Sequence, residues 1–106
     1  MQRKITNLLR DLKEALYQIY GDNLSGVYLY GSYADGEEDT ESDLDVAIVL
    51  KDFDDYWEEV QRTGPLVSEL SLEYGVSISP VRVREAAWVQ EDSPFLNSVR
   101  EECLPL

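Results

Sequence analysis

Five consecutive apolar residues, Val46-Ala-Ile-Val-Leu50, constrain this chain more than any other stretch. A short continuous apolar run reads as a strand covered on both faces, central in its sheet. The strand begins at Asp43, within Ser42-Asp-Leu-Asp45. Side chains two apart on a strand share a face, so Asp43 and Asp45 stand together. Two adjacent carboxylates repel and raise one another's pKa unless a cation lies between them. Oxygen-only donors of this kind suit Mg²⁺, which takes one or two protein carboxylates and fills its shell with water and substrate phosphates.

The apolar run before it, Leu24 to Tyr30, ends at Gly31-Ser32. Glycine there lets the backbone turn sharply and lets a ligand approach the amides. A helix opening at Ser32 would present free N–H groups to an anion. The order is therefore strand, Gly-Ser turn, acidic loop over residues 36–42, strand. Tyr28, Tyr30 and Tyr33 cluster around the turn. Aromatic residues in strands usually serve packing, and these three could also stack on a nucleobase. An EF-hand counted from Asp35 fails, because its sixth and twelfth positions hold Thr40 and Val46 instead of Gly and Glu.

Gly31-Ser-x-Ala-x-Gly36, the acidic loop, and Ser42-Asp-x-Asp45 followed by apolar residues together resemble the signature of the DNA polymerase β-like nucleotidyltransferase superfamily. The similarity is to its minimal nucleotidyltransferase (MNT) branch and is strongest over Val27 to Leu50. The resemblance implies that Gly31 and Ser32 bind the phosphates of a nucleoside triphosphate, ATP. It implies that Asp43 and Asp45 are the catalytic residues and hold Mg²⁺ or Mn²⁺. The implied reaction is adenylyl transfer to a hydroxyl of a protein or small molecule. The implied setting is that of an antitoxin beside a HEPN-domain protein.

In such proteins a third carboxylate from a later strand completes the site. Here no acid occurs from Val76 to Val83, and Ser77 and Ser79 occupy the matching face. A serine hydroxyl does not take up a proton near neutral pH. Glu73 precedes that strand and could substitute. Asp35 also stands where the family commonly has Arg. Two readings follow: a nucleotidyltransferase, or a catalytically weak or inactive binding module on the same fold that neutralises a basic HEPN-type partner.

The remaining elements frame that centre. Ile5, Leu8, Leu9, Leu12, Ala15, Leu16 and Ile19 make one apolar stripe of a helix from Ile5 to Tyr20. Asp54 to Tyr74 reads as helical, with Gly64-Pro65 predicting a kink or a division into two helices. Val76 to Val83 reads as a strand, and Pro80 sends it to a sheet edge. Glu85-Ala-Ala-Trp-Val predicts a short helical turn. Ser93-Pro94 reads as N-cap and N1 of a last helix running through Cys103. The fold expected is α/β (α+β), a small mixed sheet with helices packed mainly on one face, in one domain over residues 1–106.

Charge narrows the partners. With 22 acids, 9 bases and a net charge of −13, the surface repels nucleic acid and anionic membranes. No Lys or Arg lies between Lys13 and Lys51, so no basic patch accompanies the signature. No apolar run approaches the ~18 residues of a membrane span. The absence of a leader pattern and the single cysteine, Cys103, point to a reducing cytoplasm. Cys103 itself reads as a small apolar residue near a helix end.

Overall fold

A computed structural model describes residues 2–36, 39, 42–90 and 93–106. The acids Glu37, Glu38 and Glu41, read as a solvated loop, lie outside the described residues. Helix α1 (Arg3–Tyr20) leads through one 3₁₀ turn into β1 (Leu24–Tyr30). A single helical turn, α2 (Ser32–Asp35), separates β1 from β2 (Leu44–Leu50). Helix α3 (Tyr56–Tyr74) crosses to β3 (Ile78–Arg84), followed by α4 (Glu85–Gln90), α5 (Pro94–Glu102) and β4 (Leu104–Pro105).

The four strands lie in the order β3-β2-β1-β4. β1 is antiparallel to β2 and to β4, whereas β2 and β3 run parallel. The sheet is therefore mixed, as expected, and β2 sits inside it. Alternation along β2 sorts its side chains between two cores. Leu44, Val46, Ile48 and Leu50 join α1 and α3 residues such as Leu8, Leu12, Leu16 and Leu70 on one face. Ala47 and Val49 meet Trp88, Leu96 and Val99 on the other. The two long helices thus cover one face, and the short α4 and α5 cover part of the opposite face. Tyr28 stacks on Trp88 with ring centroids 4.7 Å apart, so this tyrosine is used in packing. Cys103 closes α5, half-buried against the second core.

Pro80 behaves as the ladder chemistry requires. The Leu44 amide donates to the Ser77 carbonyl at 2.8 Å. By alternation Ser77, Ser79, Val81 and Val83 aim their backbone groups at β2, while Pro80, Arg82 and Arg84 aim theirs outward. The residue without an N–H thus occupies an outward position of an edge strand.

Of the kink and the division into two helices expected at Gly64-Pro65, the division does not occur: α3 is one element from Tyr56 to Tyr74 with Pro65 inside it. Its ends are well fixed. The Asp55 side chain accepts from the Trp57 amide at 2.9 Å, and Gly75 stops the helix in the left-handed region. Buried side chains on both sides of the proline hold the two halves in place: Glu59 against Tyr20 of α1, Thr63 against Arg82 of β3, and Leu70 in the first core. That packing outweighs one missing helical hydrogen bond.

A buried polar network joins α1, α3 and β3. The Tyr20 hydroxyl donates to Glu59 Oε1 at 2.8 Å. The Thr63 hydroxyl donates to the Glu59 carbonyl at 2.8 Å and accepts from Arg82 Nη2 at 2.6 Å. Burial, then the Glu59 carboxylate, pushes the Tyr20 phenol well above its ordinary value. Glu59→Ala removes the acceptor while Tyr20 stays buried. We expect a loss of about 2–4 kcal/mol in urea unfolding, against about 0.5 kcal/mol or less for the exposed neighbour in Glu58→Ala. Equal losses in the two variants would show that the network adds nothing.

Candidate active site

Gly31 sits between β1 and α2 with φ 75° and ψ −157°, a conformation open essentially to glycine alone. Its carbonyl accepts from the Ala34 and Asp35 amides at 3.0 and 3.1 Å, which winds the chain at once into α2. A Cβ at Gly31 would fall on Asp45 Oδ2 and lie 3.2 Å from its Cγ. Glycine is therefore what lets the turn and the carboxylate share this space. Ser32 opens α2, where the first amides of a helix have no partner within it. Tyr33 and Ala34 pack down on the first core and hold the turn against the sheet.

Asp45 is the second residue of β2, half-buried, with Tyr30 as its partner on β1 and Ser79 as its partner on β3. Asp43 directly precedes the strand and is exposed. Burial first, and then the Asp43 charge, raises the Asp45 carboxyl above its usual range. A positive ion at this point would relieve that repulsion. The donors are hard oxygens, which fits a divalent cation such as Mg²⁺ or Mn²⁺. Among the described residues, no group of three or more acidic or sulfur side chains is placed to hold an ion.

Ser42 closes the loop ahead of the carboxylates. Its hydroxyl accepts from the Asp39 amide at 2.9 Å, and its own amide donates to the Asp39 carbonyl at 3.2 Å. The Leu44 bond to Ser77 then ties the start of β2 to the approach of β3. The Asp-x-Asp segment is held from both sides as a result.

The four residues singled out in the sequence thus occupy one end of the sheet: Gly31 against Asp45, Ser32 at the head of α2, and Asp43 beside the strand start. Ser79 faces the same side as Asp45 across one parallel pairing. Tyr30 is one of the tyrosines that cluster around the turn, and Phe95 is its packing neighbour outside the site. Tyr30 lies beside Asp45, its phenol raised by burial, by Asp45 and by Tyr56. Phe95 packs edge-on to Tyr30 at 6.2 Å, which keeps the Tyr30 ring in packing as well. Phe95 comes from α5, far along the chain, and no local pattern announces that contact.

Comparison with known proteins places this geometry. The family described as polymerase beta, nucleotidyltransferase matches residues 5–88. The chain is 37% identical over 78 residues to the "Putative protein adenylyltransferase MJ0141" of Methanocaldococcus jannaschii, covering 74% of this chain and 78% of that protein. It resembles a solved toxin–antitoxin with AMP-PNP, at 27% identity and TM-score 0.58, over 96% of this chain and 68% of that one. It shares its fold with a chain from the complex of tri-AMPylated Shewanella oneidensis HEPN toxin with MNT antitoxin. That match has 24% identity and TM-score 0.53, over 96% of this chain and 65% of the other. A glycine turn built around a strand carboxylate, on a family match that spans most of the sequence, leads to one assignment: the chain belongs to the polymerase β nucleotidyltransferases and carries their minimal nucleotidyltransferase domain.

Proposed function

We propose that this chain transfers an adenylyl group from ATP to a hydroxyl of a protein partner, a HEPN-domain toxin, and acts as its antitoxin. The observation that carries this reading is the contact of the Gly31 turn with Asp45. It puts a close-approach backbone and a carboxylate pair at one point of the sheet. The relatives support it by their names, one a protein adenylyltransferase and one a toxin–antitoxin with AMP-PNP. The net charge of −13 suits a basic partner surface.

In the proposed reaction the acceptor oxygen attacks the α-phosphorus of ATP. The new O–P bond forms as the bond to the β-phosphate bridge breaks. Pyrophosphate leaves with that electron pair, and the hydroxyl proton passes to water. The chain's own part is to position the phosphates at Gly31 and Ser32 and to hold Asp43 and Asp45 beside them. These two aspartates would hold Mg²⁺ or Mn²⁺, which, when bound, offsets charge developing on the phosphoryl oxygens.

One observation favours a second reading, a binding module with weak or no catalysis. Ser79, a side chain that is not a base at neutral pH, is the β3 partner of Asp45. Radiolabelled ATP with the purified HEPN protein separates the two. If the chain is a transferase, label moves to the partner, and Asp43→Asn with Asp45→Asn lowers the rate at least ~10²-fold. Absence of transfer from the wild type, with a stable complex, would leave the binding module.

A further inference from the structure

A cavity of 300 Å³ runs along the outer edge of β3, against Val81, Val83, Phe53, Tyr56 and Phe95. Tyr56 and Phe95 are 45% and 51% exposed and make no ring contact with each other. Each is instead steadied by a second ring, Tyr56 by Phe53 and Phe95 by Tyr30, both at 6.2 Å. Two fixed rings on one cavity, apart from each other, leave room for a flat ligand to stack. The described lining holds two guanidinium groups and no acid, and neither guanidinium is free. Arg84 lies over the Phe53 ring at 4.2 Å, donates to the Phe53 carbonyl at 2.8 Å and pairs with Asp52 at 3.3 Å. Arg82 is buried and donates to the Thr63 hydroxyl at 2.6 Å. The cavity therefore suits a ligand part that is aromatic and uncharged.

The strand edge supplies polar recognition. Arg82 is an outward residue of β3, so its N–H and C=O turn away from β2, along the side where residues 81–84 meet the cavity. Adenine presents a donor beside an acceptor, its amino group and a ring nitrogen, whereas guanine presents two acceptors on the corresponding edge. An N–H and a C=O on one strand edge match the adenine pattern. The cavity also lies where a nucleoside can reach from the reacting centre. Ser79 is level with Asp45, and Val81 follows on the same face, about 7 Å along the strand. A ribose bridges such a step between an α-phosphate and its base. Phe95 links the cavity to Tyr30, the β1 partner of Asp45. We infer that the cavity is a nucleobase pocket, with adenine stacked between Tyr56 and Phe95 and paired to the β3 edge at Arg82. This rests on the adenylyl-transfer reading, with the phosphates at Gly31 and Ser32, and adds what selects the nucleotide. The acceptor keeps the open end of the strands, level with Asp45 and Ser79.

The test titrates the full chain by calorimetry with ATP, GTP, UTP and inorganic tripolyphosphate, each with Mg²⁺. ATP should bind more tightly than GTP or UTP. Tyr56→Ser and Phe95→Ser should each weaken ATP about tenfold, as the loss of one stacked face does, and leave tripolyphosphate unchanged. Phe95→Trp keeps an aromatic face and should retain the affinity for ATP. Equal affinities for the three nucleotides, or losses in Tyr56→Ser and Phe95→Ser that are the same for ATP and tripolyphosphate, overturn the pocket. Label transfer to the HEPN protein from each nucleotide is followed in parallel. Base-dependent binding without any transfer would refute the reaction and leave the pocket. Transfer with one KM for all three nucleotides, unmoved by Tyr56→Ser and Phe95→Ser, would refute the pocket and leave the reaction.

Discussion

Gly31→Ala will unfold in urea about 2–4 kcal/mol more easily than the wild type and will lose its affinity for ATP analogues. Two costs coincide at this position. The backbone is at φ 75° and ψ −157°, where a side chain is strained. The added methyl also falls on the Asp45 carboxylate, which has to move. Gly36→Ala is the internal control. Gly36 has φ 74° and ψ 17°, ordinary left-handed backbone, and nothing among the described residues stands within 4 Å of where its Cβ would be. That variant carries the conformational cost alone, about 1 kcal/mol, and should keep nucleotide affinity. Similar losses in the two variants would show that the Gly31–Asp45 contact carries no special weight.

Ser79→Asp is the second large effect. Ser79 is the register partner of Asp45 on the parallel neighbour and presents its side chain to the same face. A carboxylate there stands where an approaching hydroxyl can deliver its proton. A positioned base contributes about 10²–10⁴-fold, so we expect at least ~10²-fold faster labelling of the partner than with wild type. The gain should vanish when Asp45→Asn is added. Three carboxylates at one strand end also repel, so the variant should melt below wild type in EDTA and recover with Mg²⁺, because binding to the folded state stabilises it. Ser77→Asp is expected to do less, since Ser77 precedes the strand and is exposed. An unaltered rate in Ser79→Asp, beside brisk wild-type transfer that needs Asp45, would show that the natural site is complete without an acid on β3.

Much of the sheet end was legible because short-range chemistry builds it. β1 runs from Leu24 to Tyr30 as the apolar run indicated, and Gly31 turns the chain where glycine was expected to. The doubly apolar run of β2 is buried from both sides. Pro80 marked an edge strand because an imino nitrogen cannot join a ladder. The illegible parts depend on distant contacts. Nothing local shows that Pro65 stays inside one helix, since packing on the sheet decides it. Leu104–Pro105 is too short for any periodic signal, yet it pairs with Tyr28 and Leu29 and completes the sheet. The pairing of Asp45 with Ser79 needed a register between strands that no pattern within either strand specifies.

That register also divides the assembly of the site in time. Gly31 and Asp45 belong to an antiparallel pair joined through residues 31–43. Asp45 and Ser79 belong to a parallel pair joined through residues 51–77, a span about twice as long that must first wind into α3. Closing a loop costs entropy that grows with its length, about 0.6 kcal/mol per doubling, and long-range parallel pairing is slow in folding. The half of the site that would hold phosphates forms from neighbours in the chain. The half that would face the acceptor closes only once the crossover has wound and β3 has paired with β2.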